Sequence, residues 1–99
     1  MTIDQLSVFV ENKAGKLAEI TAVLADEGID IRAMSIADTK DFGILRLIVN
    51  DADKAVSALK REQYIVSVTK VIAVAISDTP GSLAAVLRIL SDNAISIEY

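Results

Sequence analysis

The sequence predicts an α+β protein: a four-stranded antiparallel sheet built in the order β-α-β-β-α-β, with two helices on one face, followed by half of a second such unit. Two observations carry this. Apolar spacing alternates between a period of two and a period near 3.6 along the chain. The chain also repeats itself: SVFVENKAGKLAEITAVLADEGIDIRA from Ser7 aligns without a gap on AVAISDTPGSLAAVLRILSDNAISIEY from Ala73, with Gly15 on Gly81, an offset of 66. Val8, Leu17, Ala18, Leu24, Asp26, Ile29 and Ile31 meet the same residue types at Val74, Leu83, Ala84, Leu90, Asp92, Ile95 and Ile97. A repeat of this length is a supersecondary unit used twice. Here the unit is strand, glycine turn, helix, strand.

Each element has a local reason. From Ile3 to Val10, Leu6, Val8 and Val10 share one parity, which predicts a strand. Asn12-Lys13-Ala14-Gly15 interrupts it. Leu17, Ile20, Val23 and Leu24 then follow helical spacing, with Lys16, Glu19 and Asp26 outside the stripe, and Gly28 stops the helix. Asp30 to Ala37 and Phe42 to Asn50 read as strands joined through the polar turn Asp38-Thr39-Lys40-Asp41. Asp51 to Arg61 reads as a second helix, with Asp53 as N-cap and Val56 and Leu59 inward. Tyr64 to Ser77 holds no Gly, Pro, Asn or Asp, and it predicts one long strand that closes the first unit and opens the second. Two shorter strands with a bend near Thr69-Lys70 are the alternative. The third helix follows over Gly81 to Asp92, with Leu83, Val86, Leu87 and Leu90 inward, and a last strand begins near Ala94. This order is the split βαβ, or ferredoxin-like, arrangement. It divides the chain into a first unit over 1–69 and the N-terminal half of a second over 70–99.

Composition narrows the function classes. Of the 99 residues, 53% are apolar, and the mean hydropathy is +0.46. That is rich for a small soluble domain and predicts that part of the apolar surface ends in an interface. Ile44 and Ile48, opposite Leu45, Leu47 and Val49 on the third strand, point the same way, although scattered surface apolars explain them equally well. No apolar run suits a membrane span, and no leader pattern opens the chain. A net charge of −4 argues against nucleic acid and anionic membranes as partners. Cys and His are absent, which removes thiolate metal sites and the commonest catalytic base. No cofactor is expected, and the expected location is the cytoplasm.

The shared glycine turn is the candidate site. In Asp78-Thr79-Pro80-Gly81-Ser82, Thr79 is placed to cap the helix and Pro80 to open it. A helix N-terminus offers N–H groups and partial positive charge to a carboxylate or phosphate, and glycine lets a ligand approach the backbone. On that reading Gly15→Val or Gly81→Val blocks the ligand and leaves the fold largely intact. In the first copy Lys13 and Lys16 flank Gly15, while Asp26 and Glu27 crowd the helix end, so both ends oppose the helix dipole. The lysines suit a small anion; solvated surface lysines are the plain alternative.

N-K-A-G-K-L over Asn12–Leu17 and D-T-P-G-S-L over Asp78–Leu83, each between an apolar strand and a helix ending near G-I-D-I or A-I-S-I, resemble ACT domains. The resemblance covers the whole chain and is greatest to small stand-alone tandem ACT proteins. It implies a regulatory module that binds a small amino acid effector at an interface between ACT units. Carried onto this sequence, the ligand-binding positions are Asn12, Ala14, Gly15, Lys16 and Leu17 in the first copy and Asp78, Pro80, Gly81, Ser82 and Leu83 in the second. Met34, Ser35 and Ile36 of the neighbouring strand would line the same cleft. Ala14 stands where the family often has Pro. The second copy lacks its later elements, and Tyr99 falls in mid-strand, from which a shortened chain is expected. The half-unit is then expected to pack against the same element of a partner chain, giving a homodimer or higher oligomer. A ligand-free association module is the alternative function. An enzyme is not expected. There is no phosphate loop with a paired Arg, and Asp38 and Asp41 are more simply read as solvated turn residues than as cation ligands. Phe9 and Phe42 do not make the basic, aromatic sheet of an RNA binder.

Overall fold

In the computed structural model, residues 1–38 and 41–98 are described. β1 (Thr2–Glu11), α1 (Lys16–Asp26), β2 (Ile31–Asp38), β3 (Phe42–Val49), α2 (Ala52–Arg61) and β4 (Ile65–Ile72) form the first unit, and α3 (Ser82–Asp92) follows. The sheet order is β2-β3-β1-β4, antiparallel throughout. This is the α+β, ferredoxin-like arrangement that the spacing predicts. Residues 39 and 40 of the polar turn lie outside the described residues, as does the Asp38 side chain, so the carboxylate pair considered there is not described.

The parity of the strands sets the core. Leu6, Val8 and Val10 of β1 and Leu45 and Leu47 of β3 face the helices and are buried. Ile20 and Leu24 of α1 and Ala55, Ala58 and Leu59 of α2 close over them. The opposite face carries Phe9, Ile44 and Ile48, half-buried or exposed. α2 is capped by Asp51, whose Oδ1 accepts from Lys54 N at 3.1 Å. This corrects the expectation of Asp53, which sits in the first turn instead. The extended backbone of Asp51 is what allows its side chain to reach forward to the N–H.

All three helices end alike. After α1, Gly28 N bonds Ala25 O and Ile29 N bonds Leu24 O, at 3.0 and 2.9 Å. Gln63 and Tyr64 repeat the pattern after α2, and Ala94 and Ile95 after α3. This is the Schellman motif, with a left-handed residue followed by an apolar one that folds back on the helix. Gly28 is the natural occupant at φ 68°, whereas Gln63 at 67° and Ala94 at 55° hold the same conformation with a Cβ. The acidic end of α1 is also explained: Glu27 is paired with Arg61 of α2.

The continuous strand expected over Tyr64 to Ser77 is shorter in the structure. β4 pairs with β1 only as far as Ile72 opposite Thr2, and one further bond joins Ala73 N to Met1 O at 2.8 Å. The ladder ends there, and 73–77 is not part of it. Of the last strand expected from near Ala94 onward, the described residues 94–98 form no ladder either. The sheet order gives the reason. In the first unit β1 and β2 never touch as strands, because β3 lies between them. Their repeat equivalents, 73–77 for the end of β1 and 97 onward for β2, are therefore not expected to pair with each other. Among the described residues, α3 has no buried residue and contacts no other helix or strand. The radius of gyration, 15.5 Å, exceeds the ~13 Å of a compact chain of this length because this half-unit projects from the first.

Candidate functional site

The first glycine turn is built by three backbone features. Asn12 N bonds Asp41 O at 3.2 Å, tying the end of β1 to the start of β3. Lys16 N bonds Lys13 O at 3.4 Å, which closes a four-residue turn with Ala14 and Gly15 at its centre. Gly15 takes φ 86° and ψ −7°, the left-handed values of the third residue of a type II turn. Gly81 repeats them at φ 92° and ψ −14°, with Ser82 N bonded to Thr79 O at 3.2 Å. Thr79 and Pro80 thus occupy the first two positions of a turn, not the helix cap and first helical residue expected for them. Proline's fixed φ suits the second position of the turn as well as it suits a helix start.

The role of the glycines shifts accordingly. A Cβ at Gly15 or Gly81 would meet nothing within 4 Å. Glycine is there for its conformation, so Gly15→Val strains the backbone as well as narrowing the approach to it.

The turn delivers an uncapped helix start. In α1 the first helical bond runs from Glu19 N to Gly15 O at 3.0 Å, and the N-cap residue, Gly15, gives the first turn no side-chain cap. A cavity of about 260 Å3 adjoins this helix start, lined by Val10, Glu11, Asn12, Lys13, Lys16, Leu17, Ile36, Gly43 and Leu45. Asn12, Lys16, Leu17 and Ile36 of the expected set meet here. Ala14 and Gly15 shape the turn without lining the cavity. Met34 lies two residues along β2 on the same face as Ile36, opposite Leu47, and Ser35 lies on the other face, opposite Arg46.

The lysines are not bare. Lys13 Nζ lies 3.0 Å from Glu11 Oε2, and Lys16 Nζ lies 3.3 Å from Glu19 Oε2. The hydrogen bond and charge of Lys13 hold the Glu11 carboxyl below its usual range. Glu19 is held down first by the hydroxyl of Tyr64, which donates to Oε2 at 2.9 Å, and then by Lys16. Burial and the neighbouring Glu19 raise the Tyr64 phenol.

A larger concavity of about 710 Å3 flanks the other side of Lys16, where β1 runs past the start of β4. Phe9, Phe42, Tyr64 and Ile65 line it together with Glu11, Glu19 and Glu62, and the Phe9 and Phe42 rings stand 4.9 Å apart. Sequence reasoning missed it. The signal lay in strand register, which seats Glu11 opposite Phe42 and so sets Phe9 diagonal to that ring.

The second copy keeps the turn and changes its chemistry. Where the first has Lys13 and Lys16, it has Thr79 and Ser82, and their hydroxyls and that of Ser77 lie 2.7–3.2 Å apart. Asp78, Pro80, Gly81, Ser82 and Leu83 are thus gathered at one helix start. The walls that β2 and β3 give the first site have no equivalents among these residues.

The fold and the paired glycine turns define an ACT-type module, and the comparisons agree. The chain belongs to the ACT domain pair family, whose model matches residues 1–99. It is 49% identical to a crystallised protein from Bacteroides thetaiotaomicron, with a TM-score of 0.96 over 100% of this chain and 69% of that one. It is 32% identical to the ACT domain of prephenate dehydrogenase from Bacillus anthracis, with a TM-score of 0.57 over 64% of this chain and 99% of that one. The ligand-free regulatory subunit of aspartate kinase from Thermus thermophilus shares the fold at 16% identity, with a TM-score of 0.70 over 100% of this chain and 78% of that one. No curated protein sequence matches. ACT domains are regulatory modules for amino acids or other small molecules. Among the described residues, no helix is long and apolar enough to cross a membrane.

Proposed function

We propose that the chain is a regulatory module, without catalysis of its own, that binds a small amino acid effector at the first glycine turn. One observation carries the reading: an uncapped α1 N-terminus adjoins a cavity of about 260 Å3 whose walls are both charged and apolar. Ligand pockets commonly hold roughly 300–1,000 Å3, so this one suits a ligand of only a few heavy atoms. An α-carboxylate fits the Leu17 N–H group and Lys16, an α-ammonium fits Glu11, and an apolar side chain fits Leu17 and Ile36. Regulation would follow from linkage, with the effector favouring the arrangement of units that closes over it.

The test is a thermal-shift screen of the twenty amino acids. A ligand at about 100 Kd stabilises by roughly 2.7 kcal/mol, which gives a clear rise in midpoint. One selective rise that disappears in Lys16→Ala supports the site. A flat panel sinks it and leaves the second reading, a ligand-free association module. The exposed stripe of α3, with no buried residue, favours that second reading.

A further inference from the structure

Gly43 differs from the other glycines. Gly15, Gly28 and Gly81 each hold a positive φ in a turn or at a helix end, and Gly43 does not. It lies within β3, in register with Val10 of β1 on one side and Asp38 of β2 on the other. A glycine inside a strand weakens it, and the usual reasons for one are a bulge, a sharp bend, or the close approach of a backbone or a ligand. The register shift in this sheet falls between Ile31 and Ala33, at the other end of β2. No backbone crowds the position. Among the described residues, a Cβ at Gly43 would meet Ala37 O at 3.6 Å and Ile36 Cγ2 at 3.9 Å, both ordinary contacts. Neither the conformation nor the packing of the chain itself calls for glycine there.

What the missing side chain does is leave space. Gly43 has the helix-facing parity of Leu45 and Leu47, and it lines the cavity of about 260 Å3 beside the first glycine turn. That cavity has two kinds of wall. The turn brings the charges of Glu11, Lys13 and Lys16, and the strands bring Val10, Ile36 and Leu45 around Gly43. Val10 and Leu45 are buried, whereas Ile36 is 51% exposed and offers apolar surface for a ligand to cover.

We infer that Gly43 sets which effector the first site accepts. The inference rests on the effector reading above and names its ligand class. The effector's charged head lies at the turn, and its side chain lies over Gly43, in the space that a larger residue at 43 would fill. The side chains of Val10, Ile36 and Leu45 hold no polar atom. A hydroxyl, amide or charge placed among them loses water and gains no partner, which is costly. The ligand class is therefore an α-amino acid with an aliphatic side chain. Valine and leucine bury more apolar surface against these walls than alanine does, so they bind more tightly.

The experiment is titration calorimetry on the 99-residue chain with each of the twenty amino acids, repeated on variants. In the parent, valine or leucine should bind more tightly than alanine. Threonine, which has the shape of valine with a hydroxyl in place of a methyl, should bind about 100-fold more weakly than valine. Gly43→Ala should fold with an unchanged or raised Tm, because its Cβ meets only ordinary contacts and alanine restricts the unfolded chain. One methylene in an apolar pocket is worth about 10–200-fold, so Gly43→Ala should weaken the parent's best ligand by about 10-fold or more and shift the preference toward smaller side chains. Adding Ile36→Ala, which removes the Cγ2 nearest the new Cβ, should restore the larger ligand. A change of rank order with ligand size is something a purely structural role for Gly43 would not produce. A parent that binds valine or leucine, with a Gly43→Ala variant of unchanged affinity and rank, overturns the inference alone. So does a parent that answers only to a polar or charged amino acid, or one that binds threonine as tightly as valine; the effector reading survives both. A parent that binds none of the twenty overturns the two together.

Discussion

Gly15→Ala isolates backbone conformation from packing. Gly15 sits at φ 86°, and an added Cβ would meet nothing within 4 Å, so no steric overlap contributes. The left-handed conformation costs a residue with a Cβ about 1–2 kcal/mol. Alanine also restricts the unfolded chain, which offsets about 0.4–1 kcal/mol. The net loss is then about 1 kcal/mol, or about 4–8 °C in Tm for a domain of this size. Urea unfolding followed by circular dichroism should show a lower midpoint at an unchanged m-value. Gly15→Asn should fall between glycine and alanine, because Asn tolerates the left-handed region. Gly81→Ala has the same local geometry on a half-unit that contacts no element of the first, so the first unit's transition should not move. An alanine variant as stable as the parent would refute the turn assignment. A loss well above 3 kcal/mol would mean that Gly15 is packed after all.

Further outcomes follow from single contacts. Asp51→Ala should cost about 0.5–2 kcal/mol by chemical denaturation through loss of the Lys54 N–H bond, while Asp53→Ala should change stability by a few tenths at most. Leu24→Ala, at a fully buried site, should cost about 2–5 kcal/mol. Gln63→Gly should raise stability by up to about 1 kcal/mol, because it relieves a left-handed Cβ residue at φ 67°. The Tyr64–Glu19 contact has a pH signature. Glu19 is depressed in the folded state, so its contribution is present above the ordinary carboxylate pKa and is lost as pH falls through the folded value. Tyr64 is raised, so its contribution is present below the ordinary phenol pKa and is lost as pH rises through the folded value. The stability gap between the parent and Tyr64→Phe, measured by urea midpoint, should therefore narrow in acid and again in strong alkali.

Much of this molecule is determined locally and was legible in the sequence. The parity of Leu6, Val8 and Val10 and the spacing of Ile20 and Leu24 place the core, because a strand has a period of two and a helix 3.6. The 66-residue repeat announces two glycine turns of one geometry, and both appear at nearly the same φ. Local pattern was less decisive where two nearby positions could serve equally. Asp51 rather than Asp53 caps α2 because the backbone at Asp51 is extended. Pro80 sits in a turn rather than a helix because one φ suits both.

Only the tertiary structure decided which pattern found a partner. Residues 73–77 and 95–98 read as strands and α3 reads as a core helix, yet none is buried as such, since ladder bonds and apolar cover come from elements distant in sequence. The strand order, with β3 between β1 and β2, is what keeps the corresponding segments of the second copy from pairing with each other. It is also what brings Ile36 of β2 to the start of α1, and so makes a cavity beside a turn that sequence alone could mark only as a bend with exposed N–H groups.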